Sequence, residues 1–390
     1  MKFDFNVAAD RSDTQSMKWD VKEKELPMSL ADMDFVTAPC VLDAVCERAK
    51  KGAYGYTLVG DEWYDSIISW WSRRHGLAIK KDELIFCTGV VPAISCLVKR
   101  LTNHGDRVLV LSPVYDIFFH SIENAGRITL ECPLKYDGKG YEIDFADLEA
   151  KLSEPLTTLM ILCNPHNPVG KLWSKDELER IGALCSRYGV TAISDEIHCD
   201  VVDPGEKYTP FAAASPECAN NSLTCISASK AFSIAGLQSA AVFTKNERLK
   251  NIAERGLNSD EIAEPNCFAA IAVAAAFNEG EEWLIQLNRY ISENKRLARE
   301  YISQNIAVVK TFRQPATYLL WLDVGEFCSD SGEFCAFLRE KTGLILSPGD
   351  KYRGNGKRFV RMNVACPREK LLDGLSRLEN GVKAYIKAKR

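Results

Sequence analysis

From about residue 85 onward, short and almost wholly apolar runs alternate with one-sided amphipathic stretches, a rhythm that predicts a layered α/β fold. The runs read as strands at 84 to 87, RVLVLS (107 to 112), ITLEC (128 to 132), LTTLMILC (156 to 163), VTAIS (190 to 194), SLTCIS (222 to 227) and AAVFT (240 to 244). Near-continuous apolarity marks strands covered on both faces, and therefore a mostly parallel sheet. Pro92 opens a helix whose Ile94, Leu97, Val98 and Leu101 share one side, and Gly105 follows its end. The clearest helix follows Ser174, which forms a capping box with Glu177. Leu178, Ile181, Leu184, Cys185 and Tyr188 share its buried face, and Gly189 stops it. Strand, capped helix, strand is a βαβ unit.

After residue 280 the rhythm changes. The charged amphipathic stretch EEWLIQLNRYISENKRLAREYI leads into shorter strand-like pieces, YLLWLDV (318 to 324) and RFVRMNVA (358 to 365). We expect a large, mostly parallel-sheet domain over 46–280 and a smaller α+β domain over 281–390. The irregular segment 1–45 is expected to pack on the small domain or on a partner subunit.

Composition narrows the function. The chain has 390 residues, 46% hydrophobic and 26% charged, which is enough for a large buried core. A formal net charge of −4 and the lack of a long basic run argue against nucleic acid or an anionic membrane as partner. The basic end KAYIKAKR reads as a solvated helix end. The fourteen cysteines are scattered without a C-x-x-C pair, so they read as buried, reduced thiols. The start MKFDFNVAAD has no signal-peptide character and no stretch approaches a membrane span, so a soluble cytoplasmic protein is expected.

Open α/β sheets bind ligands beyond the carboxyl ends of their strands. Five segments fall there: CTGVVP, PVY, CNPHNPVG, SDEIH and SASK. Together they offer amide donors, a tyrosine, an asparagine, an aspartate and a lysine. Lys230 stands among small neighbours, Ser227, Ala228, Ser229 and Ala231, where a flat ring can lie over it. Pyridoxal 5'-phosphate needs this set: an amine for its aldehyde, a carboxylate for its ring nitrogen, and amide and hydroxyl donors for its phosphate.

NPHNPVG, SDEIH and SASKAFSIAGLQ resemble the fold-type I pyridoxal-phosphate enzymes of the class I/II aminotransferase superfamily, over nearly the whole chain. DRSDTQSMKWD (10 to 20), LADMDF (30 to 35), YGYT (54 to 57) and the histidine of NPHNP resemble more narrowly the cystathionine β-lyase and cysteine-S-conjugate β-lyase branch. The resemblance implies that Lys230 holds the cofactor as a Schiff base and carries the α-proton. It implies that Asp195 pairs with the ring nitrogen, Asn167 bonds the phenolic oxygen, and Tyr115 stacks on the ring. Ser227 and the amides of Gly89, Val90 and Val91 would hold the phosphate, and Tyr56 would reach the neighbouring subunit's phosphate. His198 would join the cofactor's contacts, and Arg361 would take the substrate carboxylate. One position departs from the pattern: Gln238 stands where many relatives place a basic residue against the phosphate.

The implied activity is β-elimination at a carbon–sulfur bond of cystathionine, cysteine or a related S-conjugate, by a homodimer with shared sites acting on a small amino-acid substrate. An aminotransferase using a keto-acid acceptor is the alternative, and a cofactor-bound regulatory protein acting through a protein partner is another. Plain structural readings stand beside each residue. Lys230 fits a loop edge, Asp195 a helix cap, Asn167 a turn, Ser227 a cap or turn, and Tyr115 and Tyr56 core aromatics. Asp195, His198 and Cys199 lie close in sequence. With five histidines, no H-E-x-x-H and no paired cysteines, however, no metal is expected. No G-x-G-x-x-G follows a strand, which argues against a nicotinamide enzyme.

Overall fold

The computed structural model describes residues 2–389. Each apolar run in the middle of the chain becomes a strand of one seven-stranded sheet. The strands are β1 (Leu84–Cys87), β2 (Arg107–Val110), β3 (Ile128–Glu131), β4 (Thr157–Cys163), β5 (Thr191–Asp195), β6 (Ser222–Ile226) and β7 (Ala240–Phe243). Their spatial order is β1-β7-β6-β5-β4-β2-β3. The pairs β2 with β3, β2 with β4, β4 with β5 and β5 with β6 are parallel, whereas β7 runs antiparallel to both its neighbours. The sheet is thus α/β and mostly parallel, as expected, with one reversed strand. Residues 227 to 239 between β6 and β7 contain only the one-turn helix Ser229–Phe232 and a 3-10 turn. That is too little helix for a crossover, so the chain turns back on itself.

Both faces of the sheet are covered, because alternate residues feed different cores. Val108, Val110, Leu159, Ile161, Ile193 and Leu223 pack with the helix Val90–Leu101. Leu109, Met160, Leu162 and Ala192 pack with Leu178 and Ile181 of the helix Lys175–Arg187. That second helix carries the capping box as read: Glu177 N donates to Ser174 Oγ at 3.2 Å and Ser174 N to the Glu177 carboxylate at 2.8 Å. The first begins at Val90 rather than at Pro92. Proline sits comfortably inside a first turn, whose N–H groups have no intrahelical acceptor.

Beyond the long helix Glu281–Asn305, three strands form an antiparallel sheet in the order β8-β10-β9. They are β8 (Leu319–Asp323), β9 (Ser347–Pro348) and β10 (Phe359–Asn363). Leu320, Leu322, Val360 and Met362 join Ile302, Leu338 and Leu375 in a separate apolar cluster. Leu26 and Met28 belong to that cluster too, and Leu26–Pro27 pairs in parallel with Leu344–Ile345. The cysteines are free thiols, but not all are buried: Cys46 is exposed and Cys40 and Cys267 are half-buried, because they lie on or beside surface helices. Among the described residues no helix is long and apolar enough to cross a membrane.

Candidate active site

The carboxyl ends of β1, β2, β4, β5 and β6 open on one crevice of about 280 Å3. Its wall includes Gly89, Val90 and Val91 after β1, Tyr115 after β2, and Asn167 after β4. Asp195 ends β5, with His198 just beyond it, and Lys230 follows β6. Gly89 caps the helix that starts at Val90, so the first-turn N–H groups are donors without intrahelical acceptors. An anion placed there meets both those donors and the positive end of the helix dipole.

Two ionisable groups, Asp195 and Lys230, share the same wall. Asp195 is 4% exposed, and burial pushes its carboxyl up to about 7, against the opposing pull of Ile197 N, which donates to Oδ1 at 3.1 Å, and of Lys230. A cationic partner at that carboxylate would remove the penalty. Burial also pushes the Lys230 amine below its ordinary value, with Asp32 and Asp195 opposing and Arg361 assisting. Its Nζ donates to the Ala31 carbonyl at 2.7 Å. His198 is held neutral, its pKa pushed down to about 3 by burial and then by Lys230 and Arg361, and its Nδ1 has no protein partner. Burial raises the Tyr115 phenol, so it stays protonated. A buried amine, a buried carboxyl seeking a cation and an amide-lined anion cradle fit pyridoxal phosphate end to end.

Three expected residues do not line the crevice in this chain. Arg361 is 3% exposed on β10; Nη1 donates to Asn167 Oδ1 at 3.1 Å and Nη2 to Ser29 O at 3.0 Å, while Nε has no partner. Ser227 Oγ donates to Ser239 O at 2.7 Å and bonds Ser229 Oγ, so Ser229 faces the crevice and Ser227 stands behind it. Tyr56 is fully exposed, beside the exposed Tyr54 and Leu58. Conversely, the wall includes Ala31, Thr88, Cys163, Ile197 and Ser229, which sequence reasoning did not single out, although Thr88, Cys163, Ile197 and Ser229 lie inside the quoted strand-end segments. Gln238 is on the wall as well. Cys199 lies apart from Asp195 and His198, grouped instead with His75 and Asp200. The Asp200 carboxylate is already taken up by Trp70, Arg74 and His75.

An α/β enzyme whose strand-end crevice suits an anionic, heteroaromatic cofactor is the class that this fold and site define. The sequence pattern of the family described as aminotransferase class I and II matches residues 24–378, and the chain belongs to that family. It is 39% identical over 381 residues to the cystathionine β-lyase PatB of Bacillus subtilis, covering 96% of this chain and 98% of that one. The pyridoxal-phosphate-bound structure of a Clostridium difficile 630 protein called an aminotransferase superposes with a TM-score of 0.95. It is 37% identical and covers 98% of this chain and all of its own. A pyridoxal-phosphate-bound C-S lyase from Staphylococcus hominis superposes at 0.92, with 30% identity and 98% of each chain covered. The cofactor and the likeness to the lyase branch expected from the sequence are both borne out.

Proposed function

We propose that this enzyme is a pyridoxal-phosphate-dependent carbon–sulfur β-lyase that converts L-cystathionine, cysteine or a related S-conjugate to pyruvate, ammonia and a thiol. The observation that carries the reading is the convergence of Lys230, Asp195 and the Gly89–Val91 amides on one crevice, in a chain 39% identical to a cystathionine β-lyase. When bound, the cofactor supplies an electron sink for the substrate's α-carbon.

The chain's own residues do the rest. Asp195, buried and short of a cation, keeps the ring nitrogen protonated. Lys230, with its amine depressed by burial, would hold the cofactor's aldehyde and carry the α-proton. Asn167 has its Oδ1 committed to Arg361, which leaves its amide nitrogen as the donor to the phenolic oxygen. Neutral His198 would contact the cofactor, and Tyr115 would cover its ring. Ser227 would act on the phosphate by fixing the turn at Ser229, accepting from Ser229 N and Oγ, beside the amides of Gly89, Val90 and Val91. Arg361, set behind the crevice wall with its plane fixed by wall residue Asn167 and by Ser29, is the cation we assign to the substrate carboxylate. The exposed Tyr54, Tyr56 and Leu58 support a homodimer in which Tyr56 completes the partner's site. We place the enzyme in the cytoplasm, on its cysteines, which are free thiols. We divide it as 1–45, 46–280 and 281–390, on the apolar cluster that the last part builds with Leu26 and Met28 of the first.

The test is pyruvate release from L-cystathionine with cofactor supplied and no keto acid, beside Lys230→Ala. Release abolished in the variant supports the lyase. Turnover that begins only when a keto acid is added sinks it and leaves an aminotransferase.

A further inference from the structure

The Ala31 carbonyl oxygen that accepts the Lys230 amine has a second donor. The hydroxyl of Tyr318, a residue 1% exposed just before β8, donates to it at 3.1 Å. The strap carrying that oxygen is fastened on both sides: Arg361 Nη2 donates to Ser29 O at 3.0 Å, and Asn363 Nδ2 to Leu30 O and Asp32 O at 2.7 Å each. The oxygen therefore cannot swing away from either donor. Burial raises the Tyr318 phenol, which remains a donor at every working pH.

We infer that Tyr318 is a positioning residue for the lysine, sharing the Ala31 carbonyl so that this oxygen holds the uncombined Lys230 amine less strongly. The inference rests on the reading of Lys230 as the cofactor lysine. A carbonyl engaged by one donor accepts a second more weakly. An ammonium donates more strongly than an amine, so an undivided acceptor favours the ammonium and a divided one favours the amine. Only the amine has a lone pair with which to take up a proton. The charges facing Lys230 are Asp32 and Asp195, which favour the ammonium, and Arg361, which opposes it. His198 and Tyr115 share its crevice wall and are neutral, so Tyr318 adds its influence without adding a charge.

The test uses the full-length protein with the cofactor removed, and follows acylation of Lys230 by a small amine-directed reagent across pH, read by peptide mass spectrometry. Tyr318→Phe should move the midpoint up by about half a pH unit, making Lys230 roughly threefold less reactive below it. A 3-fluorotyrosine at position 318, a stronger donor, should move it down. A purely structural role would change the yield at all pH values without shifting the midpoint in opposite directions. Identical midpoints in the three proteins overturn the inference. The underlying reading fails separately, if borohydride reduction of the holoenzyme attaches the cofactor elsewhere than Lys230.

Discussion

Asp195→Asn should stabilise the cofactor-free protein and weaken the loaded one. In the folded chain without cofactor, the carboxyl titrates at about 7 rather than at its ordinary 3.8, because ionising it means placing a charge in a desolvated site. At about 1.4 kcal/mol per pH unit, that difference is on the order of 4 kcal/mol. Because the folded value is the higher one, the native state binds the extra proton between the two values. Stability on this account is full below about pH 4, falls as pH rises to 7, and stays low above it. Asparagine never ionises, and its carbonyl oxygen can still accept the Ile197 N–H that Asp195 accepts. The variant should therefore match the parent near pH 4 and exceed it by a few kcal/mol at pH 8. Urea denaturation of both cofactor-free proteins at the two pH values, with the slope checked for constancy, measures this. A stability difference that is absent at pH 8, or the same at both pH values, refutes the desolvation account. The loaded variant should then lose cofactor more readily, since a neutral amide cannot keep the ring nitrogen protonated.

Arg361→Lys keeps the charge but cannot span Asn167 Oδ1 and Ser29 O at once, so KM for the amino-acid substrate should rise roughly 10- to 100-fold in steady-state assays. Gln238→Arg puts a cation on the crevice wall where the chain has none besides Lys230. A cofactor titration followed by absorbance should show about tenfold tighter binding, reduced by added salt. Gly182→Ala sets a methyl group against the Cys218 sulfur between two packed helices. It should cost about 1–3 kcal/mol by urea denaturation with the cofactor spectrum unchanged.

The strands and the capped helix were legible because their signals are local. β2, β4, β5 and β6 are runs of apolar residues buried on both faces, and Ser174 and Glu177 satisfy each other's amides across one turn. The direction of β7 was not legible. Its composition is that of the sheet's parallel strands, and only the short return over 227 to 239 reverses it. Lys230, Asp195, Asn167 and Tyr115 were readable as chemistry because they stand at strand ends, and the sheet brings all four to one wall. Ser227 and Arg361 were readable as residues but not as neighbours. Whether a side chain touches a cavity or stands one contact behind it depends on packing, as Ser229 in front of Ser227 shows.

The sequence by itself determined the layered α/β plan, the strand-end placing of Lys230 and Asp195, and the cofactor that such a set of groups suits. Each follows from residue type, and from periodicities of two and 3.6 that act over a few positions. The tertiary structure decided what holds the lysine. Ala31 lies 199 positions from Lys230, and Tyr318 lies 287 from Ala31. The contact between the first two is made by a main-chain carbonyl, a group every residue carries, so no residue type announces it. Only the folding of the N-terminal strap across β10 puts that oxygen where the amine can reach it.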